Sequence, residues 1–134
     1  MTSELFSWGR YPKHAQTATS CSWRSELQGV LTSLGDTYEE TLPYGNGRSY
    51  GDSCLATSDQ VIQTRLMDRF IKADWQTGCI IVEAGVTLAQ ILDITIPNGW
   101  FLPVTPGTQF VTVGGAIAND VHGKNHHRRG TFGN

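Results

Sequence analysis

Residues 42–53, LPYGNGRSYGDS, set Gly45, Gly47 and Gly51 behind a proline and around a single arginine. Such a stretch is a poor interior for any helix or strand, because each glycine weakens both. What the spacing allows is positive φ and close backbone approach, so that successive amide N–H groups converge on an anion such as a pyrophosphate. Arg48 adds a fixed positive charge. The pattern G-x-G-x-x-x-G also resembles a Rossmann dinucleotide loop, and Asp68 lies near the offset of roughly twenty residues at which that fingerprint expects an acid. A Rossmann loop must open a helix. The DSCLATSDQ after Gly51 has no apolar period and is rich in turn formers. On these residues alone, an anion cradle and a plain surface turn both stand.

Two further stretches carry chemistry. In PGTQFVTVGGAIAND, Gly114 and Gly115 fall where a strand ends and a short Ala-rich helix begins, which would bring a second set of free N–H groups to a phosphate or a ring edge. A Gly-Gly turn packed under a small helix is the alternative. In DVHGKNHHRRG, His122 and His126 have the i, i+4 spacing of a helical metal pair, but Gly123 and Asn125 are poor helix formers and no acidic third ligand has a set position. No metal is expected. A cofactor-facing loop with His122 and Lys124 as donors suits the neighbouring glycine stretches better than a merely solvated basic turn.

Periodicity supplies the frame for these loops. Residues 1–20 show no sustained period and are broken by Gly9 and Pro12, so an irregular arm is expected, from which Trp8 is free to dock. SWRSELQGVLTSLG puts Trp23, Leu27, Val30, Leu31 and Leu34 on one helical face, with Ser22 as N-cap and Gly35 as the stop. Short strands are expected over 38–44 and 61–64, and a hairpin in FIKADWQTGCIIVEAG around Gln-Thr-Gly. Thr87 and Gln90 have capping-box spacing at the head of a second helix, which Pro97 and Gly99 end. The fold class is α+β.

Composition narrows the partners. A length of 134 residues fits one domain with a real core. A net charge of −2 gives no electrostatic case for nucleic acid or an anionic membrane. No apolar run reaches a transmembrane length and the first residues lack a secretory pattern, so a cytoplasmic location is expected. Cys21, Cys54 and Cys79 are odd in number and share no CxxC, which reads as free thiols.

Taken in order, YGNGRSYGDS, IIVEAGVTLAQIL and PVTPGTQFVTVGGAIANDVHGKNHHRRGTFGN resemble the FAD-binding half-domain of the vanillyl-alcohol oxidase and para-cresol methylhydroxylase (PCMH) flavoproteins, and within them bacterial sugar oxidases of the decaprenylphosphoryl ribose oxidase type. The resemblance spans roughly residues 38–134. It implies that Pro43, Tyr44, Gly45, Asn46, Gly47, Arg48, Ser49, Tyr50, Gly51, Asp52 and Ser53 wrap the FAD pyrophosphate. It places Gly107, Thr112, Val113, Gly114 and Gly115 along the cofactor, and Asn119, Asp120, Val121 and His122 beside the isoalloxazine ring. His122 and Lys124 would face a sugar or sugar-like alcohol as the catalytic candidates, His122 being a candidate base because it titrates near neutral pH. Relatives that tether FAD through a histidine carry it directly after the glycine pair of the first loop. Here that position is Arg48, so non-covalent FAD is expected. An NADP-binding or phosphate-binding module without flavin is the alternative function.

By the same resemblance, residues 21–134 are the first lobe of a PCMH-type FAD-binding domain, a small β-sheet flanked by helices, behind the arm of residues 1–20. The close on GTFGN, with neither terminal helix nor charged tail, reads as a cut. A second FAD lobe and a substrate domain would then be missing. A fragment of this kind is expected to be inactive alone, and its uncovered apolar surface to drive self-association.

Overall fold

The computed structural model describes residues 2–133. The chain divides into two compact units, residues 1–67 and 68–134. Each has its own core.

The first unit is built on a four-stranded sheet in the order β1-β2-β4-β3, where β1 is Thr2–Ser3, β2 Gln16–Ser20, β3 Leu42–Tyr44 and β4 Gln60–Gln63. Both β2 and β3 pair with β4 in parallel, with Ala18 and Leu42 opposite Val61. Strand β2 is a correction to the sequence reading, which assigned these residues to an irregular arm. QTATS lacks apolar alternation because Gln16 points inward, and its cost is met by a two-way bond to one residue, Ala56. The Gln16 side-chain oxygen accepts from the amide of Ala56 at 2.8 Å, and its Nε2 donates to the Ala56 carbonyl at 3.3 Å. A buried amide paired at both ends is tolerated where an unpaired one is not.

Helix α1, Leu27–Gly35, follows a short 3-10 turn over Arg24–Glu26. Ser22 does not cap it. Instead the Glu26 carboxylate reaches back to the amides of Trp23, at 3.1 Å, and Ser22, at 3.3 Å. Leu34 is buried, and Leu27 and Val30 pack with it against Cys21, Ile62 and Met67, whereas Trp23 and Leu31 of the expected apolar face are exposed. The strand expected over 38–44 is confined to its last three residues.

The second unit opens with the expected hairpin, β5 Phe70–Asp74 and β6 Cys79–Val82, antiparallel with a register shift between Phe70 and Lys72. Its turn is shaped by the Asp74 carboxylate, which accepts from the amides of Gln76 and Thr77, and by Gly78 at φ +70°. Those bonds hold the Asp74 carboxyl below its ordinary pKa. Helix α2, Leu88–Thr95, has the capping box as expected: the Gln90 amide donates to the Thr87 hydroxyl, and the Thr87 amide donates to the Gln90 side-chain oxygen. Pro97 sits within a further 3-10 turn, Ile96–Asn98, and Gly99, left-handed at φ +80°, ends it. Val86, Leu88 and Ile91 form the buried core, with Ile80 and Val82 of the hairpin packed on it. Two short helices complete the unit, α3 Val113–Ala118 and α4 His126–Arg129. Among the described residues, no helix is long and apolar enough to cross a membrane.

Candidate functional site

The first glycine stretch leaves the sheet at the end of β3. Pro43 and Tyr44 belong to that strand, and Tyr44 is buried rather than lining the loop. Its hydroxyl donates to the Phe6 carbonyl at 2.7 Å, so the tyrosine anchors residues 6–10 beside the loop. Burial, and secondarily the neighbouring Cys54, push the Tyr44 phenol above its ordinary pKa. Gly47 and Gly51 both take positive φ, +60° and +58°. At Gly47 a Cβ would overlap the Phe6 carbonyl oxygen and the Tyr44 hydroxyl, whereas the space beside Gly51 is open. Residues 51–54 form a turn and no helix follows Gly51. The Rossmann context is therefore missing from the structure as well as from the sequence.

The polar groups of this loop divide cleanly. The Ser49 carbonyl accepts from the Trp8 amide at 3.0 Å, the Asp52 carbonyl from the Leu55 amide at 2.7 Å, and the Ser53 hydroxyl donates to the Tyr50 carbonyl at 2.9 Å. The amides of Gly47, Arg48, Tyr50 and Gly51 donate to no backbone carbonyl among the described residues. This is the donor set an anion cradle needs. Arg48, Tyr50, Asp52 and Ser53 are exposed, while Gly45, Asn46 and Ser49 are half-buried. Cys54, just past the loop, is buried, and burial pushes its thiol above the ordinary range despite donors from its own amide and from Ser49.

The second glycine stretch behaves differently. No strand precedes it; Thr112 makes only an isolated bridge with Thr87, and the helix starts at Val113, so both glycines lie inside α3. Its first-turn amides are not free. Val113 donates to the Val86 carbonyl at 2.7 Å, Gly114 to the Ala84 carbonyl at 2.9 Å, and Gly115 to the Thr112 hydroxyl at 3.2 Å. The expected set of open N–H groups is thus corrected, because residues 84–86 and the cap consume them. Gly114 serves close packing, since a Cβ there would lie 3.1 Å from the Ala84 Cβ. Gly107 is exposed in the loop before α3.

Beyond α3 the chain turns sharply. The Asn119 side chain donates to the Gly115 carbonyl at 2.8 Å, and Asp120 takes φ +42° while its carboxylate accepts from the Gly133 amide at 3.0 Å. Val121 is tied by its amide to Ala116 and by its carbonyl to Phe132. His122 then pairs with Thr131, and its ring meets that of His126 edge-on at 5.0 Å. His126 is itself turned to the Gly123 carbonyl, with 3.0 Å from Nδ1 to oxygen. His122 and Lys124 are both exposed on this one loop. The structure brings together Asn119, Asp120, Val121, His122 and Lys124 in the second unit, and residues 43–53 in the first.

Residues 19–134 match the FAD binding domain family. The chain belongs to that family. FAD is accordingly its cofactor, and the left-handed glycines and Arg48 of the 45–51 loop fit a dinucleotide's pyrophosphate. Among relatives, the decaprenylphosphoryl-β-D-ribose oxidase of Mycolicibacterium smegmatis is 39% identical over 137 residues, covering 99% of this chain and 29% of the relative. The D-lactate dehydrogenase of Archaeoglobus fulgidus is 28% identical over 113 residues, covering 82% of this chain and 26% of the relative. In structure, an alkyldihydroxyacetonephosphate synthase superposes with a TM-score of 0.75 at 19% identity, over 96% of this chain and 26% of that one. That likeness supports the α+β fold read from the sequence. The chain spans less than a third of the length of these relatives.

What the sequence reading missed is the segment from Phe6 to Arg10. Trp8 does dock, through its amide on Ser49 and its ring under the Arg48 guanidinium at 5.8 Å. The local signal was the run of aromatic and basic residues in LFSWGRY, but its target lies about forty residues away.

Proposed function

We propose that this chain is the pyrophosphate-holding lobe of an FAD-dependent oxidoreductase that removes a hydride from a CH–OH group of a sugar or sugar-like alcohol. The observation that carries the reading is the 45–51 loop, with two left-handed glycines and amides beside Arg48 that donate to no backbone carbonyl among the described residues, in a chain of the FAD binding domain family. The flavin supplies the redox chemistry when bound, as the acceptor of that hydride. The chain's own residues hold and orient. The loop amides neutralise phosphate oxygens, Gly107, Thr112 and the α3 glycines lie along the cofactor, and the Asn119–His122 turn flanks the ring. His122 and Lys124 face the substrate, where His122 can take the alcohol proton and Lys124 can hold the resulting charge.

The flavin is held without a covalent bond. Arg48 occupies the position after the glycine pair, and a guanidinium stays protonated and is a poor nucleophile. Cys54, the nearby thiol, is buried and held in its protonated form, which removes the second nucleophile. The names of the relatives support a CH–OH donor, since both a ribose oxidase and a lactate dehydrogenase act on carbinols. The reaction is placed in the cytoplasm, with a small-molecule substrate as partner and self-association through the exposed apolar residues of the second unit.

Anaerobic addition of secondary sugar alcohols to the flavin-loaded full-length protein should bleach its visible band, and His122→Ala should slow that bleaching. Bleaching by 2-hydroxy acids alone would reject the sugar reading. Acid precipitation should leave the flavin in the supernatant; flavin in the pellet would overturn the non-covalent assignment.

A further inference from the structure

The Phe6–Arg10 segment does more than cover the glycine loop. Together with Tyr44 and Arg48 it encloses a cleft of about 300 Å³, lined by Phe6, Ser7, Trp8 and Arg10, with Glu4 beside them. Two guanidiniums reach it, each laid on an aromatic ring: Arg10 lies 5.5 Å from the centre of Phe6 and Arg48 5.8 Å from that of Trp8. Neither meets a carboxylate within 4 Å among the described residues. Glu4 leaves the lining with a net charge of +1, so the cleft favours an anion.

Two independent features point to a ligand. Ser7 is 2% exposed, yet its hydroxyl has no hydrogen-bond partner. A buried hydroxyl left unsatisfied costs stability, and an acceptor entering the cleft would remove that cost. Arg10 holds a left-handed backbone at φ 54°, which a non-glycine residue adopts only at a cost in stability. The strain is fixed by neighbours: the Arg10 amide donates to the Ser7 carbonyl at 3.1 Å, while Tyr44 and Ser49 pin Phe6 and Trp8. Such an outlier, over-determined by its surroundings, marks a place where position matters more than local stability.

We propose that this cleft is a phosphoryl-binding pocket, separate from the amide cradle of the glycine loop, in which Arg10 and Arg48 bind the oxyanion and Ser7 donates the third hydrogen bond. The volume exceeds that of a phosphate group alone and falls at the small end of organic-ligand sites. The occupant is therefore an organic phosphate whose carbon part lies on Phe6 and Trp8. Its phosphoryl group belongs to a phosphate ester other than FAD.

The test is calorimetric titration of the 134-residue chain with inorganic phosphate and with glycerol 3-phosphate, repeated at saturating FAD. Arg10→Asn is the informative variant, because asparagine tolerates the left-handed backbone and removes only the charge. It should weaken both probes at least tenfold, Arg48→Gln should do the same, Ser7→Ala should weaken them less, and Arg10→Lys should recover part of the loss. Circular dichroism of Arg10→Asn should match the parent, since Arg10 is exposed. Probe binding should survive saturating FAD; FAD that displaces the probes, with Arg10→Asn lowering FAD retention, would overturn the proposal of a separate pocket. Failure of the parent chain to bind either probe, or equal binding by Arg10→Asn and Arg48→Gln, would overturn the pocket while leaving the FAD assignment untouched.

Discussion

Two glycine-bearing stretches read alike in the sequence, and they are not alike in the structure. Around Gly47 and Gly51 the glycines are used for backbone conformation: φ is positive at both, and the amides of Gly47, Arg48, Tyr50 and Gly51 donate to no backbone carbonyl among the described residues. At Gly114 and Gly115 the backbone is helical, every amide of the first turn is consumed, and the missing side chain matters because Ala84 lies close by. A glycine cluster therefore announces that something must come near. Whether the visitor is an anion or the protein's own backbone depends on which carbonyls the fold has already brought to it.

Substitutions at these positions can break that contrast. The largest effect is expected for Gly47→Val, which combines a left-handed penalty of about 1–2 kcal/mol with overpacking of about 1–3 kcal/mol against Phe6 and Tyr44. Urea denaturation should show the first unit destabilised by that sum and flavin retention lost. Gly51→Ala should cost only the conformational part, about 1–2 kcal/mol, because the space beside it is open, and Gly51→Asn should return most of it. If the alanine and asparagine variants lose equal stability, φ is not the reason for glycine there. Gly114→Ala is expected to be milder. A Cβ at 3.1 Å from that of Ala84 forces a small displacement, but the helix gains roughly 0.8–1 kcal/mol of propensity, so the net change in melting free energy should stay within about 1 kcal/mol. A loss as large as that of Gly47→Val would mean that the two stretches share one role.

The same contrast explains how much the sequence could tell. Elements closed by near neighbours were legible: the Thr87–Gln90 box, the Asp74 turn and the Gly99 stop each involve residues within a few positions of one another. Elements closed by distant ones were not. Strand β2 hid behind an inward-facing Gln16 whose partner, Ala56, is forty residues on, and the free state of the α3 amides depended on carbonyls at 84 and 86. At the site, the glycines, Arg48 and His122 could be named from motif alone. Ser7 and Arg10 could not, because an unpaired hydroxyl and a strained φ exist only once Tyr44 has fixed the Phe6 carbonyl.

The smallest expected effect sets the two units apart by pH. In the first, Tyr44 and Cys54 both have raised pKa values, chiefly through burial. Each keeps its proton in the folded state at a pH where the unfolded chain has begun to lose it, so the stability they contribute is fully present below the unfolded values. It is lost as pH rises from about 8.5 through the folded values. In the second unit Asp74 has a lowered pKa because the turn amides favour its carboxylate. Its contribution is present above the unfolded value and is lost as pH falls below about 4 through the folded one. The side chain is exposed and solvent screens it, so this acid-side loss should be the shallower of the two. Thermal melts across pH should therefore show Tyr44→Phe flattening the alkaline limb alone and Asp74→Asn flattening the acid limb alone, the latter by less. Loss of alkaline sensitivity in Asp74→Asn would show that the titrations do not belong to the units in which these residues sit.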